Sequence, residues 1–533
     1  MIYFARRKSY NVTVKLMRTG LFMSTQITEF CCGFGYREEK KGDLFMENTN
    51  SRQRLGVMSL LTMTFTAIFA FPSIINNSIE IGLATIPAYI FASIFYFLPF
   101  ALMIAEFASA NGDKESGVHS WLECVLGPKW AFLGAWTYFF VNLFFFCSLV
   151  PNALIYGSYA LFGRNMFEGP NGTKIIAIMG IALFWLGTYV CIKGVSWISK
   201  VTDFAGTARF IMGIAFIILA FILVLGMKEA PAQEFTMETV APKFNWTFFM
   251  VMAWVLQAVG GGESIGVYIK DVKGGNKTFI KTMILSTFVI GAMYVLGAIA
   301  VGFAVPHELI AGNFSNAIFV VFDNLLTQFG IPTGVTVRLV GLILCLGSLG
   351  ALALWTAAPV KVFFSEIPEG VFGKWLVKTN EEGNPTNALV VQGIVVTILI
   401  AIPALGIGSM DSFLETLLNM TAGTSLLPML FLIFAYIKLR WKHEDMPRDY
   451  RFGNRTVGII TGIFLFILFL FIFFMSTVPD PAIMKQALNG TLPEGVANPF
   501  GLLAYSVAGL VIFVGVAWAA WNRYEKKNKI ENK

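Results

Sequence analysis

Glu263 follows three consecutive glycines, Gly260, Gly261 and Gly262, in the stretch "LQAVGGGESIG", inside a run that is otherwise apolar. Each glycine costs a helix interior about 1 kcal/mol relative to alanine, so three in a row argue for an unwound segment. A carboxylate held out of water beside freed backbone can carry a proton or clamp the unwound segment. A second stretch, "FAFPSIINNSIEIG", places Pro72, Ser73, Asn76 and Asn77 where an uninterrupted membrane helix would have apolar residues. An interrupted helix presents N–H groups at one half-helix end, which suit an anion, and carbonyls at the other, which suit a cation. An α-amino acid carries both charges. Proline as a plain kink and glycine as a close-packing residue explain each stretch singly, but two breaks at matching places point to a binding site.

Other chemistries are missing. The chain has no "GxxxxGK[ST]" phosphate loop, no "GxSxG" elbow and no "HExxH", and its carboxylates are not paired inside the apolar runs. These absences speak against nucleotide-driven transport by this chain and against an enzyme, and no cofactor is expected. Six scattered cysteines and three distant histidines (His119, His307, His443) indicate neither a disulfide framework nor a metal site.

The elements that must position these residues are membrane helices. Of 533 residues, 56% are hydrophobic and 13% charged, against roughly 25% charged in an ordinary soluble domain. Hydrocarbon cannot hydrogen-bond a backbone, so apolar runs of this length must be helices, and the fold class is an all-α membrane protein. Apolar runs predict about 12 transmembrane helices, at 56–82, 84–110, 131–162, 174–193, 203–227, 245–269, 279–304, 333–359, 386–405, 411–437, 457–478 and 499–522. The formal charge of +7 is spread over short connections and forms no basic domain, so no nucleic-acid partner is expected. Basic residues crowd alternate connections, such as those around Lys273, Lys361 and Arg440. The intervening ones hold few, among them Lys243 and Lys485. By the positive-inside rule both termini are cytoplasmic.

Residues 1–45 are polar and lack the apolar core of a signal peptide, and "MENTNSRQRLGVMSLL" from Met46 has the form of a permease start. The expectation is an upstream mis-start or a disordered extension over 1–45, with a short basic cytoplasmic tail at 526–533. Glu106, near the cytoplasmic end of its span, is expected to pair with a loop lysine or arginine, and Arg209 and Arg338 to snorkel to the interface.

Across "LPFALMIAEFASANGDKESGVHSWLECVLGPKWAFLGAW", with Ala105, Glu106, Gly117, Gly127 and Trp136, the chain resembles the amino acid–polyamine–organocation superfamily. The likeness continues through "GGGES", "TVRLVGLILCLGSLGALALWTAAP" and the stretch from Ile402 to Trp441, and covers residues 56 to about 525. It is greatest toward bacterial glutamate/GABA antiporters and related amino acid/amine exchangers. The resemblance implies a single transporter domain over 46–525 in the bacterial cytoplasmic membrane, moving an amino acid or amine by alternating access. Its inverted five-helix repeats would fall at about 56–227 and 245–437, with extra helices at about 457–478 and 499–522.

The resemblance also implies site residues. The substrate carboxylate would meet Pro72, Ser73, Ile74 and Ile75, although the usual glycine-rich "GSGI"-like segment is absent here. Val259, Gly260, Gly261 and Gly262 would give bare backbone, Glu263 would couple or clamp, Gln257 stands where some exchangers place an aromatic gate, and Trp355 would lie along the path. Arg209 could serve as a fixed cation where sodium-coupled carriers of such folds hold an ion. The chain ends soon after Arg523, so the carboxy-terminal plug of glutamate/GABA antiporters is not expected. A receptor or ion channel is the rival reading, but no large soluble region or continuous polar pore is evident. Asn142, Trp355 and Asn419 are too few to decide substrate preference. Exchange against proton symport, and monomer against homodimer, stay open.

Overall fold

The computed structural model describes residues 55–110, 117–193, 198–266, 268–269, 272–368, 370–380, 384–493, 496 and 498–531. The extension expected at 1–45 lies outside them. Among the described residues, 11 helices are long and apolar enough to cross a membrane. The first expected crossing, 56–82, is not among them as one helix. It comprises α1 (Val57–Ile68) and α2 (Phe71–Ile81), and α2 runs through a turn at Gly82 into α3 (Thr85–Ala92), a π turn at Ser93–Phe97 and α4 (Leu98–Ala110). Gly82 takes φ +53°, which reverses the chain. The Asn77 amide donates to the Tyr89 hydroxyl at 2.8 Å, a contact that residues twelve apart in one straight helix could not make. α1 with α2 thus counts as one crossing, and the all-α fold class holds.

The remaining spans follow in order. They are α6 (Pro128–Phe162) after the short α5 (Val118–Leu126), α7 (Gly172–Ile192) and α8 (Ile198–Phe221). Next come the pair α9 (Trp246–Val259) and α10 (Gly262–Gly266), then α11 (Gly275–Ala304) and, after α12 (Ala317–Thr327), α13 (Thr333–Glu366). α14 (Thr386–Gly406), α15 (Met410–Lys442), α16 (Arg455–Thr477) and α17 (Pro499–Glu531) complete the chain. The segment expected as a tail from 526 continues α17 as helix to Glu531. A Glu525–Lys529 pair at 2.9 Å, one turn apart, supports that extension.

α13 packs along α6 and α8, and α15 along α6 and α16. Small residues permit the closest approaches: a Cβ at Gly341 of α13 would stand 2.8 Å from the Tyr156 carbonyl of α6. At one end of the bundle Glu106 is fully buried, as is its partner Arg440 of α15 at 3.0 Å. Arg448 makes a second ion pair to the same carboxylate at 3.0 Å. Tyr436 and the Phe452 backbone N–H donate to the other oxygen at 2.8 and 2.9 Å. The expected pairing of Glu106 with an arginine is present, and it anchors the chain after α15 against α4. Lys273 N–H donates to the Leu55 carbonyl at 2.9 Å, tying the approach to α1 to the chain after α10.

Candidate functional site

The first break is at Phe69 and Ala70, both in extended conformation between α1 and α2. Pro72, Ser73, Ile74 and Ile75, expected to be unwound, instead form the first turn of α2. Proline's fixed φ suits a helix start, and its missing N–H costs nothing there, so it begins the second half-helix and cannot continue the first. Ile74 and Ile75 are buried. Their side chains pack in the core, and the chain irregularity that could meet a ligand lies just before them.

The second break is where the glycines predict. Asn245 caps α9, accepting the Phe248 N–H at 2.9 Å. The helix ends at Val259, and Gly260 is extended. Gly261 takes φ +106°, a backbone conformation open to glycine and strained for any residue with a Cβ. Gly262 and Glu263 already belong to α10. Gln257 is half-buried, and its carbonyl accepts the Gly260 N–H at 3.2 Å. Tyr96, which sequence reasoning did not single out, brings its hydroxyl close: a Cβ at Gly260 would stand 3.2 Å from it.

The two breaks adjoin. A Cβ at Gly261 would lie 3.5 Å from Ile68 at the end of α1. Between them, the buried Tyr294 of α11 sets its hydroxyl 2.8 Å from the Ile68 carbonyl and 2.7 Å from the Ala258 carbonyl. The Ala70 N–H donates to the same oxygen at 3.1 Å. The Tyr294 ring stacks on Tyr89 at 4.7 Å and packs against Phe69 at 5.3 Å.

Glu263 is buried at the start of α10. The second oxygen, Oε2, has no hydrogen-bond partner. No ion pair reaches it among the described residues.

A cavity of about 390 Å³ opens near the end of α2. Among the described residues, Glu80, Glu415 and Asp480 are its acidic lining residues, and no lysine or arginine lines it. Asn419, also on its wall, accepts a hydrogen bond from Trp254 Nε1 at 2.7 Å, one turn short of the Ala258–Gly261 break. Of the residues considered from sequence, Asn419 lines this cavity, whereas Pro72, Ser73, Gly260, Gly261 and Glu263 do not. Trp355 is exposed, with its ring 6.0 Å from Phe145 of α6. Asn142 turns its amide to the Tyr138 carbonyl at 2.9 Å. The stem of Arg209 lies across Gly347 of α13, with its charge near Tyr156 of α6. It sits within the bundle one turn before Gly213, where a Cβ would stand 3.6 Å from the Phe69 ring at the first break, so a simple reach to the interface does not describe it. Arg338 is near its expected end of the bundle, against Gly163.

A polytopic helical bundle with two adjoining broken helices and a buried carboxylate at one of them defines a secondary transporter. The chain matches the family model described as amino acid permease over residues 55–493 and belongs to that family. It is similar to the aspartate/glutamate permease AcaP of Lactococcus lactis subsp. cremoris (strain MG1363), 26% identical over 83% of this chain and 91% of that protein. The inner membrane transporter YjeM of Escherichia coli (strain K12) is 23% identical over 89% of this chain and 96% of its own length. A glutamate/gamma-aminobutyrate antiporter of Lactococcus lactis subsp. lactis (strain IL1403) is 24% identical over 81% and 84%. The chain is accordingly a multi-pass membrane transporter of amino acids.

Proposed function

We propose that the carrier takes a zwitterionic or cationic amino acid or amine, in preference to a dicarboxylic one. The observation that carries this reading is the cavity at the end of α2, with Glu80, Glu415 and Asp480 on its walls and, among the described residues, no fixed cation. Low-dielectric walls bearing one sign of charge concentrate ligands of the opposite sign and repel like ones. The named activities of the Lactococcus relatives involve aspartate, glutamate and gamma-aminobutyrate; of these, only the last carries no net negative charge at neutral pH.

In this reading the substrate's ammonium meets carbonyls at the two breaks, and its carboxylate meets the start of α2. The proposed contacts are Ser73 of α2 and the backbone of Gly260 and Gly261. Pro72 contributes by opening the first break. Glu263 carries the coupled proton, on the oxygen left without a donor. The adjoining breaks fit two inverted five-helix repeats that rock about a fixed site, and the charge distribution fits cytoplasmic termini.

Counterflow in proteoliposomes tests the reading. Preloaded lysine, glutamine or gamma-aminobutyrate should drive accumulation of the labelled compound, while aspartate and glutamate compete poorly. Efficient counterflow of aspartate alone would refute the charge argument. Glu263→Gln keeps size and hydrogen bonding but cannot change charge, so binding should persist while the pH dependence of transport flattens. An unchanged pH profile would make that carboxylate a structural clamp.

A further inference from the structure

The Tyr294 hydroxyl has one hydrogen and two carbonyl oxygens within 2.8 Å, those of Ile68 and Ala258. Its oxygen already accepts the Ala70 N–H. Neither carbonyl has a backbone donor among the described residues. The reason is local in each case. The residue four positions after Ile68 is Pro72, which has no N–H. Four positions after Ala258 is Gly262, which the turn at Gly260 and Gly261 carries into a separate helix. One hydrogen cannot serve both oxygens, so at any moment one buried carbonyl faces another oxygen without a proton between them.

We propose that Tyr294 is a positioning and specificity-determining residue for the substrate's primary ammonium group. The inference rests on the reading that this carrier binds amino acids or amines across the two breaks. An ammonium has three N–H donors, and the Tyr294 arrangement supplies three acceptors: the unserved carbonyl, the free lone pair of the other carbonyl, and the remaining lone pair of the hydroxyl. The hydroxyl also fixes the spacing of the carbonyls, because it is bonded to both broken helices while its ring is held by Tyr89 and Phe69. Tyr294 belongs to neither broken helix, so it can report the occupancy of one break to the other.

The experiment compares ligands that differ only in N–H donors. With the purified full-length carrier in proteoliposomes, the standard amino acid or gamma-aminobutyrate giving the largest counterflow is chosen. Its N-methyl, N,N-dimethyl, N-trimethyl and des-amino derivatives are then tested as competitors. In the unaltered protein, apparent affinity should fall stepwise with each N–H removed, to a total of 100-fold or more. A flat series would overturn the proposal without any mutant.

Tyr294→Phe keeps the ring packing and removes the hydroxyl. It should weaken the parent compound about tenfold, in line with a hydrogen bond to a charged group, and leave the des-amino analogue unchanged. Equal weakening of both, or no change in their ratio, would show that the hydroxyl is only structural. Absence of counterflow by every amino acid and amine in the unaltered protein would instead refute the proposed function itself.

Discussion

Glu106 of α4 and Arg440 of α15 stand 334 positions apart in the chain and meet at 3.0 Å with neither side chain exposed. Arg448 adds a second cation to the same carboxylate. A buried charge set of this kind contributes little beyond a hydrophobic replacement while it is intact. Its removal in part is costly, because the remaining charges are stranded. Glu106→Ala leaves two buried guanidinium groups with only Glu444, a partly exposed carboxylate, as their anion. It should destabilise the folded carrier by about 3–5 kcal/mol. Thermal unfolding in detergent, followed by size-exclusion chromatography, measures this; an unchanged midpoint would contradict the assignment.

Gly261 is the position where backbone conformation and close approach coincide. A side chain there must adopt φ +106° and also meet Ile68. Gly261→Leu should abolish counterflow while leaving insertion into the membrane intact, and Gly261→Ala should impair transport in the same direction. Uptake normalised to monodisperse protein separates this from misfolding. Transport by the leucine variant at the original rate would show that the break does not touch the substrate path.

The acidic cavity near the end of α2 gives a charge test. Glu415→Gln removes one of its carboxylates without changing shape. Competition by glutamate should strengthen several-fold relative to competition by lysine, and more so at low ionic strength, where screening is weak. A uniform loss for both competitors would mean that Glu415 acts through packing alone.

His119, on α5 outside the spanning helices, gives a pH test. Burial holds its imidazole below the ordinary range, with Glu123 pulling the other way. Nε2 has no hydrogen-bond partner. The unfolded chain takes up this proton below about pH 6.5, whereas the folded chain resists it until a lower pH. The group therefore adds no pH dependence well above 6.5, and stability falls as the pH drops from there toward the folded value. His119→Gln should reduce the slope of midpoint against pH between 6.5 and 5. An identical slope in the variant would assign the acid sensitivity to other groups.

Topology can be checked by labelling. A cysteine placed in the chain after Lys442 should react with an impermeant thiol reagent only in inside-out vesicles, and one near Lys485 in intact cells. The reverse pattern would overturn the orientation.

Composition and apolar run length determined the membrane class, because the need to satisfy every backbone group in hydrocarbon leaves helices as the solution. The break between α9 and α10 was equally legible: three glycines penalise a helix locally, whatever surrounds them, and Gly260 and Gly261 are unwound. The first break was legible only to within a few residues. Proline marks a helix boundary, but its chemistry permits it to stand just inside the second half-helix, and the structure puts the extended residues at Phe69 and Ala70. The need of Glu106 for a lysine or arginine partner could be read from one carboxylate near the end of an apolar run, whereas the choice of Arg440 and Arg448 depended on how α15 and the chain after it return to α4. Tyr294 left no signal in sequence, since a tyrosine in an apolar helix is ordinary. Its role comes from a hydroxyl placed between carbonyls orphaned by Pro72 and by the glycine turn. Local backbone costs are written in neighbouring residues; which donor meets which acceptor across helices is decided by packing alone.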